Sequence, residues 1–171
     1  SGVVTNLSGV LPVGVTGGSG LDADGGNTPS WKATLSAATS ALSINTWTKV
    51  SCNVEAWDTD GAYTGGTFTI PSGESGKYVL YGSVYFSHTS VNRPRLSFYV
   101  GGTRVFTRSA YDEGVDIAGY PELTIYTVLP INAGVAVEFY AWASESGVVV
   151  YGNEPLQNQP ASFGGFKLNG V

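Results

Sequence analysis

The sequence predicts an all-β protein folded as a two-sheet antiparallel sandwich or barrel, and three observations lead to this prediction. Segments that alternate apolar and polar residues recur along the chain, and no window shows the 3.6-residue repeat of an amphipathic helix. Turns rich in Pro and Gly separate these segments, as at Pro71–Gly76 and Gly101–Gly102. Charged residues are only 12% of the chain, about half of the ~25% usual in soluble domains, whereas Gly numbers 24. This composition suits short strands joined by tight turns.

From residue 31 onward, ten segments have the length and pattern of strands. In the clearest one, alternate positions from Tyr78 to Phe86 are apolar or Gly and are expected to share one face of a sheet. About ten short strands in one domain are typical of a two-sheet sandwich or barrel. The predicted strands are Trp31–Ala37, Thr46–Asn53, Thr67–Ile70, Gly76–Thr89, Arg95–Val100, Thr103–Ser109, Glu122–Pro130, Val135–Ala143, Val148–Tyr151 and Ala161–Leu168.

Residues 1–30 differ from the rest and are expected to form a Gly-rich tether or linker ahead of a folded domain over residues 31–171. From Ser1 to Pro29 the chain has eight glycines, two prolines and no aromatic residue. Such a segment cannot bury enough apolar surface to fold alone. Within it, Leu7–Gly20 resembles a short motif common in bacteriophage tail fibres, in which Leu-x-Gly-x-Leu-Pro-Val precedes a Gly-Gly-x-Gly turn. A generic flexible linker has the same composition, and both interpretations stay open.

Four motifs resemble, in order, a known family of β-sandwich domains. Trp31–Leu35 is similar to the family's opening strand. Phe68–Leu80 is similar to the Phe-Thr-x-Pro…Gly-x-Tyr-x-Phe pattern of the globular heads of the first complement component and their tumour-necrosis-factor relatives. Leu129–Val137 is similar to their Leu-x-x-Gly-Asp-x-Val strand pair, and Phe163–Leu168 to their closing Phe-x-Gly-Phe-x-Leu strand. The resemblance covers residues 31–171.

The resemblance implies a jelly roll of about ten strands in two antiparallel sheets. It also implies a homotrimer in which aromatic strand faces meet at the three-fold axis. Two departures are visible: Gly134-Val135 replaces the family's Gly-Asp pair, and Trp31–Leu35 matches the opening pattern imperfectly. The tail-fibre motif, and the lack of disulfides and of a collagen repeat, make the chain most like the receptor-binding domain at the tip of a phage tail fibre. Such a domain would lie outside the cell, on the virion.

Charge and hydropathy exclude two classes of partner. The net charge is −5, and the arginines are spaced singly, without the concentrated positive footprint that nucleic-acid binding needs. No segment approaches the ~20 consecutive apolar residues of a membrane span, so no membrane insertion is expected.

The chain has few residues suited to catalysis or to holding a cofactor. Cys52 is the only cysteine and alternates with Val50 and Val54, which predicts a buried apolar thiol on their strand face. His88 is the only histidine and is interpreted as a surface residue at a strand end. Nucleophile elbows, phosphate loops and metal-type cysteine spacings do not occur in the sequence. We therefore expect no enzyme activity, no cofactor and no metal.

Carboxylates provide two further alternatives. Asp22–Gly25 and Asp58–Gly61 both read Asp-x-Asp-Gly, which is how calcium loops begin, but neither reaches the bidentate Glu that such a loop needs. Turn-forming aspartates explain both segments better. Glycoside hydrolysis would need a carboxylate pair in a cleft. The acids dense enough to consider lie in one apparent loop, and they are Asp112, Glu113, Asp116 and Glu122.

That loop is the best candidate for contact with a receptor. Residues 109–121 are long for a sandwich connection, and long loops are often functional. The loop mixes acids with tyrosines, which offer a flat face and a hydroxyl to a sugar or a protein. A second patch, Trp57–Tyr63, has the same character. The loop could instead pack against a neighbouring subunit, and Trp57 could instead pack in the core. The candidate receptor-binding residues are Tyr111, Asp112, Glu113, Asp116, Tyr120, Trp57 and Tyr63.

Three functions stay in competition at this point. The first is a non-enzymatic host-attachment domain, a homotrimer that binds a glycan or an outer-surface protein of a bacterium. The second is a carbohydrate-binding module of a secreted enzyme, which would be a monomer. The third is a structural virion or appendage protein without a ligand.

Overall fold

The computed structural model describes residues 27–87, 94–109, 122–153 and 160–168. Within these ranges the chain forms eleven strands and no helix. Most of the predicted tether, the predicted Asp22–Gly25 turn and His88 lie outside the described residues. The strands are β1 Ser30–Thr34, β2 Thr48–Lys49, β3 Val54–Asp58, β4 Tyr63–Thr64, β5 Thr67–Thr69, β6 Gly76–Tyr85, β7 Arg95–Val100, β8 Thr103–Ser109, β9 Glu122–Ile131, β10 Ala136–Trp142 and β11 Ser162–Lys167.

The strands form two antiparallel sheets that pack face to face, as the sequence predicts. One sheet has five strands in the order β3-β1-β11-β6-β9. The other has the order β4-β5-β10-β7-β8, and β2 also pairs with β10, beyond the end of β5. Neighbours in each sheet are mostly distant in sequence, so the chain crosses repeatedly between the sheets. This is a jelly-roll sandwich, which confirms the predicted fold class.

Several predicted elements are confirmed in detail. Alternate residues of β6, namely Tyr78, Leu80, Gly82 and Val84, are buried on the face that looks into the sandwich, as is Phe86 just after the strand. β7 and β8 have the predicted bounds and form a hairpin. Its turn residues Gly101 and Gly102 have φ of 58° and 75°, the left-handed values that a tight hairpin turn requires.

The core between the sheets is organised around Phe163 of the central strand β11. Its ring lies 5.7 Å from the rings of both Trp31 and Phe139, and 6.2 Å from the ring of Phe98. Trp31 in turn stacks on Phe68 of the opposite sheet, with ring centroids 3.7 Å apart. All five side chains are fully buried, so the two sheets are joined by one continuous aromatic cluster.

Three sequence expectations are wrong in this part of the fold. The predicted strand Thr46–Asn53 is reduced to β2, because the chain beyond Val50 leaves the edge of β10. The unpredicted β3 follows at once, and Val54 on it is exposed instead of sharing a buried face with Cys52. The predicted strand Val148–Tyr151 forms only an isolated bridge, between Val150 and Phe86.

The ladder also fixes where the chain enters and leaves the five-stranded sheet. Ser30, at the start of β1, pairs with Phe166, near the end of β11. The chain therefore enters β1 and leaves β11 at the same end of the sheet along the strand direction, which we call a pole. Along β9, Glu122 lies at the other pole, opposite Tyr85. The loop that connects β8 to β9 therefore joins the sheet at the pole away from the chain ends.

Candidate functional site

Five of the seven predicted receptor-binding residues lie outside the described residues. These five belong to the connection between Ser109 and Glu122. Its anchoring strand ends are described: the carboxylate of Glu122 accepts a hydrogen bond of 2.8 Å from the hydroxyl of Tyr85. This bond ties the start of β9 to the end of β6. The five are Tyr111, Asp112, Glu113, Asp116 and Tyr120.

Tyr63 lies inside the sandwich and supports the neighbouring turn. It is 9% exposed, and its hydroxyl donates a hydrogen bond of 2.6 Å to the carbonyl of Cys52. Burial of the hydroxyl raises the pKa of Tyr63 above its usual value. Its backbone N–H donates to Asp58 Oδ2 at 2.6 Å. The hydroxyl of Tyr63 is therefore already bonded within the chain, and little of its ring reaches the surface.

The Asp58–Gly61 segment forms a turn held by its own side chains. Asp58 Oδ1 accepts a hydrogen bond of 3.2 Å from the N–H of Asp60, and Thr59 Oγ1 donates to Asp60 Oδ2 at 2.6 Å. Gly61 follows with φ of 62°. Since both oxygens of Asp58 accept backbone N–H groups, the geometry is that of a turn-forming aspartate. Within the described ranges, no cluster of three or more His, Cys, Asp or Glu could hold a metal ion.

Trp57 lies on the outward face of the five-stranded sheet, at its β3 edge. The side chain is 47% exposed, and Lys32 Nζ lies 5.7 Å from the centroid of its ring. The register continues straight across the sheet from Trp57 to Lys32, Gly164, Tyr81 and Tyr126. Residues directly opposite one another in a ladder share a face, so these five form one outward row, which we call the transverse row.

Gly164 makes this row possible. A Cβ at Gly164 would overlap the hydroxyl and ring of Tyr81 and would lie 2.6 Å from the carbonyl oxygen of Trp31. Without a side chain at this position, the Tyr81 ring lies across the central strand β11. Burial raises the pKa of the Tyr81 hydroxyl, which donates a long hydrogen bond of 3.5 Å to the Trp31 carbonyl. The row therefore presents aromatic surface across the sheet.

The exposed apolar surface is greatest where β8 and β9 form adjacent edges of the two sheets. Tyr126 is 73% exposed and Val128 is 51% exposed, both on β9. Val105 and Phe106 on β8 are 40% and 39% exposed. We call these four residues the β8–β9 edge. Large exposed apolar side chains on two neighbouring edge strands favour a surface that another protein covers.

Sequence reasoning did not single out Tyr81, Tyr126 or Val128. The available signal was the alternation in Glu122–Pro130, where large apolar residues occupy both faces of one strand. A strand at the edge of a soluble sandwich is expected to be polar on its outward face. An apolar outward face on such a strand is a sign of an interface.

Trp57 lies far from the strand end at which the predicted loop joins the five-stranded sheet. Trp57 lies four strands across and four residues along from Glu122, where the loop joins β9. At ~4.8 Å per strand and ~3.3 Å per residue, these two positions are about 20 Å apart. Trp57 therefore does not extend the base of the loop in the same chain.

Two described groups of a type that can take part in catalysis, Cys52 and Glu138, are engaged within the fold. Cys52 is fully buried, and burial raises the pKa of its thiol to about 12, so the predicted buried apolar thiol is confirmed. Glu138 pairs with Lys49 at 2.8 Å, and this bond lowers the pKa of the carboxyl. Neither group provides an activated nucleophile or a general acid. Among the described residues, no helix has the length and apolar character to cross a membrane.

Comparison with known proteins gives similarity of structure and not of sequence. No protein-family model matches the chain, and no curated protein matches it. The globular domain of the zebrafish complement 1qA protein superposes with a TM-score of 0.59 at 16% identity, covering 82% of this chain and 98% of that domain. The PRD1 vertex protein P5 has a TM-score of 0.62 at 16% identity, covering 85% of this chain and all of that one.

A third similar structure is murine APRIL, with a TM-score of 0.57 at 15% identity, covering 81% of this chain and 98% of that one. The fold is therefore the jelly roll that complement globular heads and tumour-necrosis-factor-like domains share, as the sequence motifs imply. A virion vertex protein has the same fold. Because the sequence identities are only 15–16%, the structural similarity shows the fold class alone.

Proposed function

We propose that this chain is a non-enzymatic receptor-binding domain that assembles as a homotrimer at the tip of a phage tail fibre or a similar appendage. Its partner would be a glycan or a protein on a bacterial surface, and its location would be the virion. The observation that carries this proposal is the exposed apolar surface of the β8–β9 edge and the transverse row. Similarity to the PRD1 vertex protein P5 supports the virion setting.

The two apolar surfaces suit assembly around a three-fold axis. The β8–β9 edge lies at one side of the sandwich. The transverse row begins there at Tyr126, which both surfaces share, and crosses the five-stranded sheet to Trp57 on β3. If the edge of one copy packs onto the sheet face of the next, each copy uses two different surfaces: its edge against one neighbour and its sheet face against the other. A head-to-tail contact of this kind closes into a three-membered ring when each copy is rotated by 120° from the last. A ring also covers Tyr126, which is 73% exposed in one chain.

Contact with the receptor is assigned to the loop over residues 109–121, as the sequence predicts. Its anchoring ends lie at the pole away from the chain ends of β1 and β11. The loop's acids and tyrosines provide hydrogen-bond acceptors and flat rings for a sugar or a protein surface. In this assembly Trp57, at the β3 end of the transverse row, would contact the next copy, so it stays a receptor candidate only for a monomeric carbohydrate-binding module. Tyr63 would act by supporting the turn beside it.

The experiment that tests assembly is light scattering on a sizing column, with wild type and Tyr126→Glu. Wild type is expected at three times the 17.8 kDa of one chain. Tyr126→Glu is expected to run as a monomer, because a charge would be buried unpaired in the interface. Ile44→Glu is the matched control: Ile44 is 49% exposed in a connecting segment, so this variant should stay trimeric. A monomeric wild type would overturn the assembly.

Receptor contact is tested by adsorption of the trimer to host cells. Tyr111→Ala combined with Tyr120→Ala should abolish adsorption while the mass stays that of a trimer. Unchanged adsorption would favour a structural virion or appendage protein. A monomeric wild type whose melting temperature rises with a glycan would favour a carbohydrate-binding module.

A further inference from the structure

The outward face of the six-stranded sheet carries a second aromatic surface, which neither the assembly nor the loop uses. Tyr99 of β7 and Tyr140 of β10 have ring centroids 4.1 Å apart. Trp47, just before β2, lies edge-on to Tyr99 at 6.4 Å. Trp142 is the next outward position of β10 after Tyr140. All four side chains are partly exposed. Together with Arg95 and Arg104, they make up what we call the outer aromatic face.

Two arginines are stacked on the tryptophans of this face. Arg95 pairs directly with Trp142, and its Cζ lies 4.3 Å from the ring centroid. Arg104 Cζ lies 5.2 Å from the ring centroid of Trp47. A guanidinium that rests on a ring is held in one orientation while its N–H donors stay at the edge. Apart from the buried Nε of Arg95, these donors are therefore preorganised for an acceptor that approaches from solvent.

The charges on the face do not balance. Lys49 and Glu138 neutralise one another at 2.8 Å. In the part of the chain that the structure describes, neither Arg95 nor Arg104 has a carboxylate within ion-pair distance, and Arg95 Nε is buried without a hydrogen-bond partner. Among its described residues the face thus has an excess of two positive charges, on a chain whose net charge is −5. Its complement is an anion, and attraction of this kind steers binding.

We propose that the outer aromatic face binds an acidic polysaccharide, with carboxylates on Arg95 and Arg104 and sugar rings on Tyr99 and Tyr140. The arginines are four residues apart along the strand direction, since Arg104 pairs with Tyr99. At ~3.3 Å per residue this is about 13 Å, which one sugar ring cannot cover but an extended oligosaccharide can. Carboxylate binds guanidinium with two parallel hydrogen bonds.

This inference rests on the proposed binding function and adds the site and the ligand class. The face belongs to the six-stranded sheet, whereas the proposed assembly uses the outward face of the five-stranded sheet and the β8–β9 edge. It would stay open in the trimer, and three copies would bind one polymer with avidity.

The test is native gel electrophoresis in gels that contain polygalacturonate, dextran or polyglutamate at equal mass. Wild type should be retarded by polygalacturonate only. Arg104→Gln should weaken the apparent Kd about tenfold or more, because charged hydrogen bonds are lost. Arg108→Gln is the matched control, since this exposed arginine of the same strand makes the same charge change. It should change the Kd less than twofold.

A second variant tests the rings without changing the charge. Tyr140→Ala should also lose retardation by polygalacturonate, with a melting curve that confirms folding. The proposal is overturned if polygalacturonate does not retard wild type, if the two arginine variants weaken binding equally, or if polyglutamate retards wild type as strongly. If light scattering shows a trimer and polygalacturonate does not retard it, this inference alone is overturned. A monomer that binds it overturns the assembly alone.

Discussion

Replacing Phe163 tests whether the two sheets depend on one aromatic centre. Its ring contacts those of Trp31, Phe139, Phe98 and Tyr63 at centroid distances of 5.7 to 6.2 Å. Phe163→Ala removes all four contacts and leaves a cavity between β11 and the opposite sheet. Substitutions of this kind cost about 3–5 kcal/mol. That is a large part of the 5–15 kcal/mol by which domains are typically stable.

Urea unfolding followed by tryptophan fluorescence measures this loss. With a slope of about 2 kcal/mol per molar urea, the midpoint should fall by about 1.5–2.5 M. Protein concentration must be the same for each variant, because assembly contributes to apparent stability. Ile44→Ala, at a 49% exposed position, should change stability by about 0.5 kcal/mol at most. A loss below about 1 kcal/mol for Phe163→Ala would refute the central role of this ring.

Three further predictions follow from particular contacts. Because Cys52 is buried with a pKa raised to about 12, a thiol reagent at pH 8 should label it only upon unfolding; labelling of the native protein would contradict this burial. The hydrogen bond from Lys49 lowers the pKa of Glu138 below its usual 4.5, so this pair stabilises the fold above that pH and the stabilisation is lost as pH falls through the lowered value. Wild type should therefore exceed Glu138→Gln in urea midpoint at pH 7, and the difference should narrow as pH falls below 4.5; a difference that does not change with pH would disprove the linkage. Gly164→Ala should lower stability by about 1–3 kcal/mol and weaken assembly, because the new Cβ displaces Tyr81; an unchanged melting temperature and mass would show that the ring does not need this space.

The fold was largely predictable because most strands obey a simple alternation. In β6, each second residue from Tyr78 to Phe86 faces the core, so pattern and burial agree position by position. The Gly101-Gly102 turn adds a local rule that fixes one hairpin. In β7 and β8 the alternation and the turn residues point to the same hairpin, and there even the predicted strand bounds were correct.

β3 was not predictable because tertiary pairing alone makes it a strand. Its five residues Val54–Asp58 are exposed or half-exposed and alternate weakly, and they are followed at once by a turn. Pairing with β1 requires a register shift between Lys32 and Ala33, and no sequence pattern predicts this shift. Trp57 was therefore expected in a loop and instead stands on a sheet.

The surfaces were harder to predict than the core, because they depend on which strands become neighbours. Tyr81 and Tyr126 are 45 residues apart in sequence and directly opposite in the ladder. Arg104 and Trp47 meet only because β2 and β8 flank the same two strands, β10 and β7. The many aromatic residues indicated that some would lie on the surface. Only the strand order shows which of them become neighbours there.

The two poles of the five-stranded sheet have a mechanical consequence. The chain enters and leaves at the pole where Ser30 pairs with Phe166, and the 109–121 loop joins at the pole of Glu122. A pull between an anchored tether and a receptor held by that loop would run along the strands. Hydrogen bonds of an antiparallel ladder lie across that direction, so the load would shear many of them at once instead of opening them one by one. A pull across the strands would open these hydrogen bonds one by one and should unfold the same domain at a lower force.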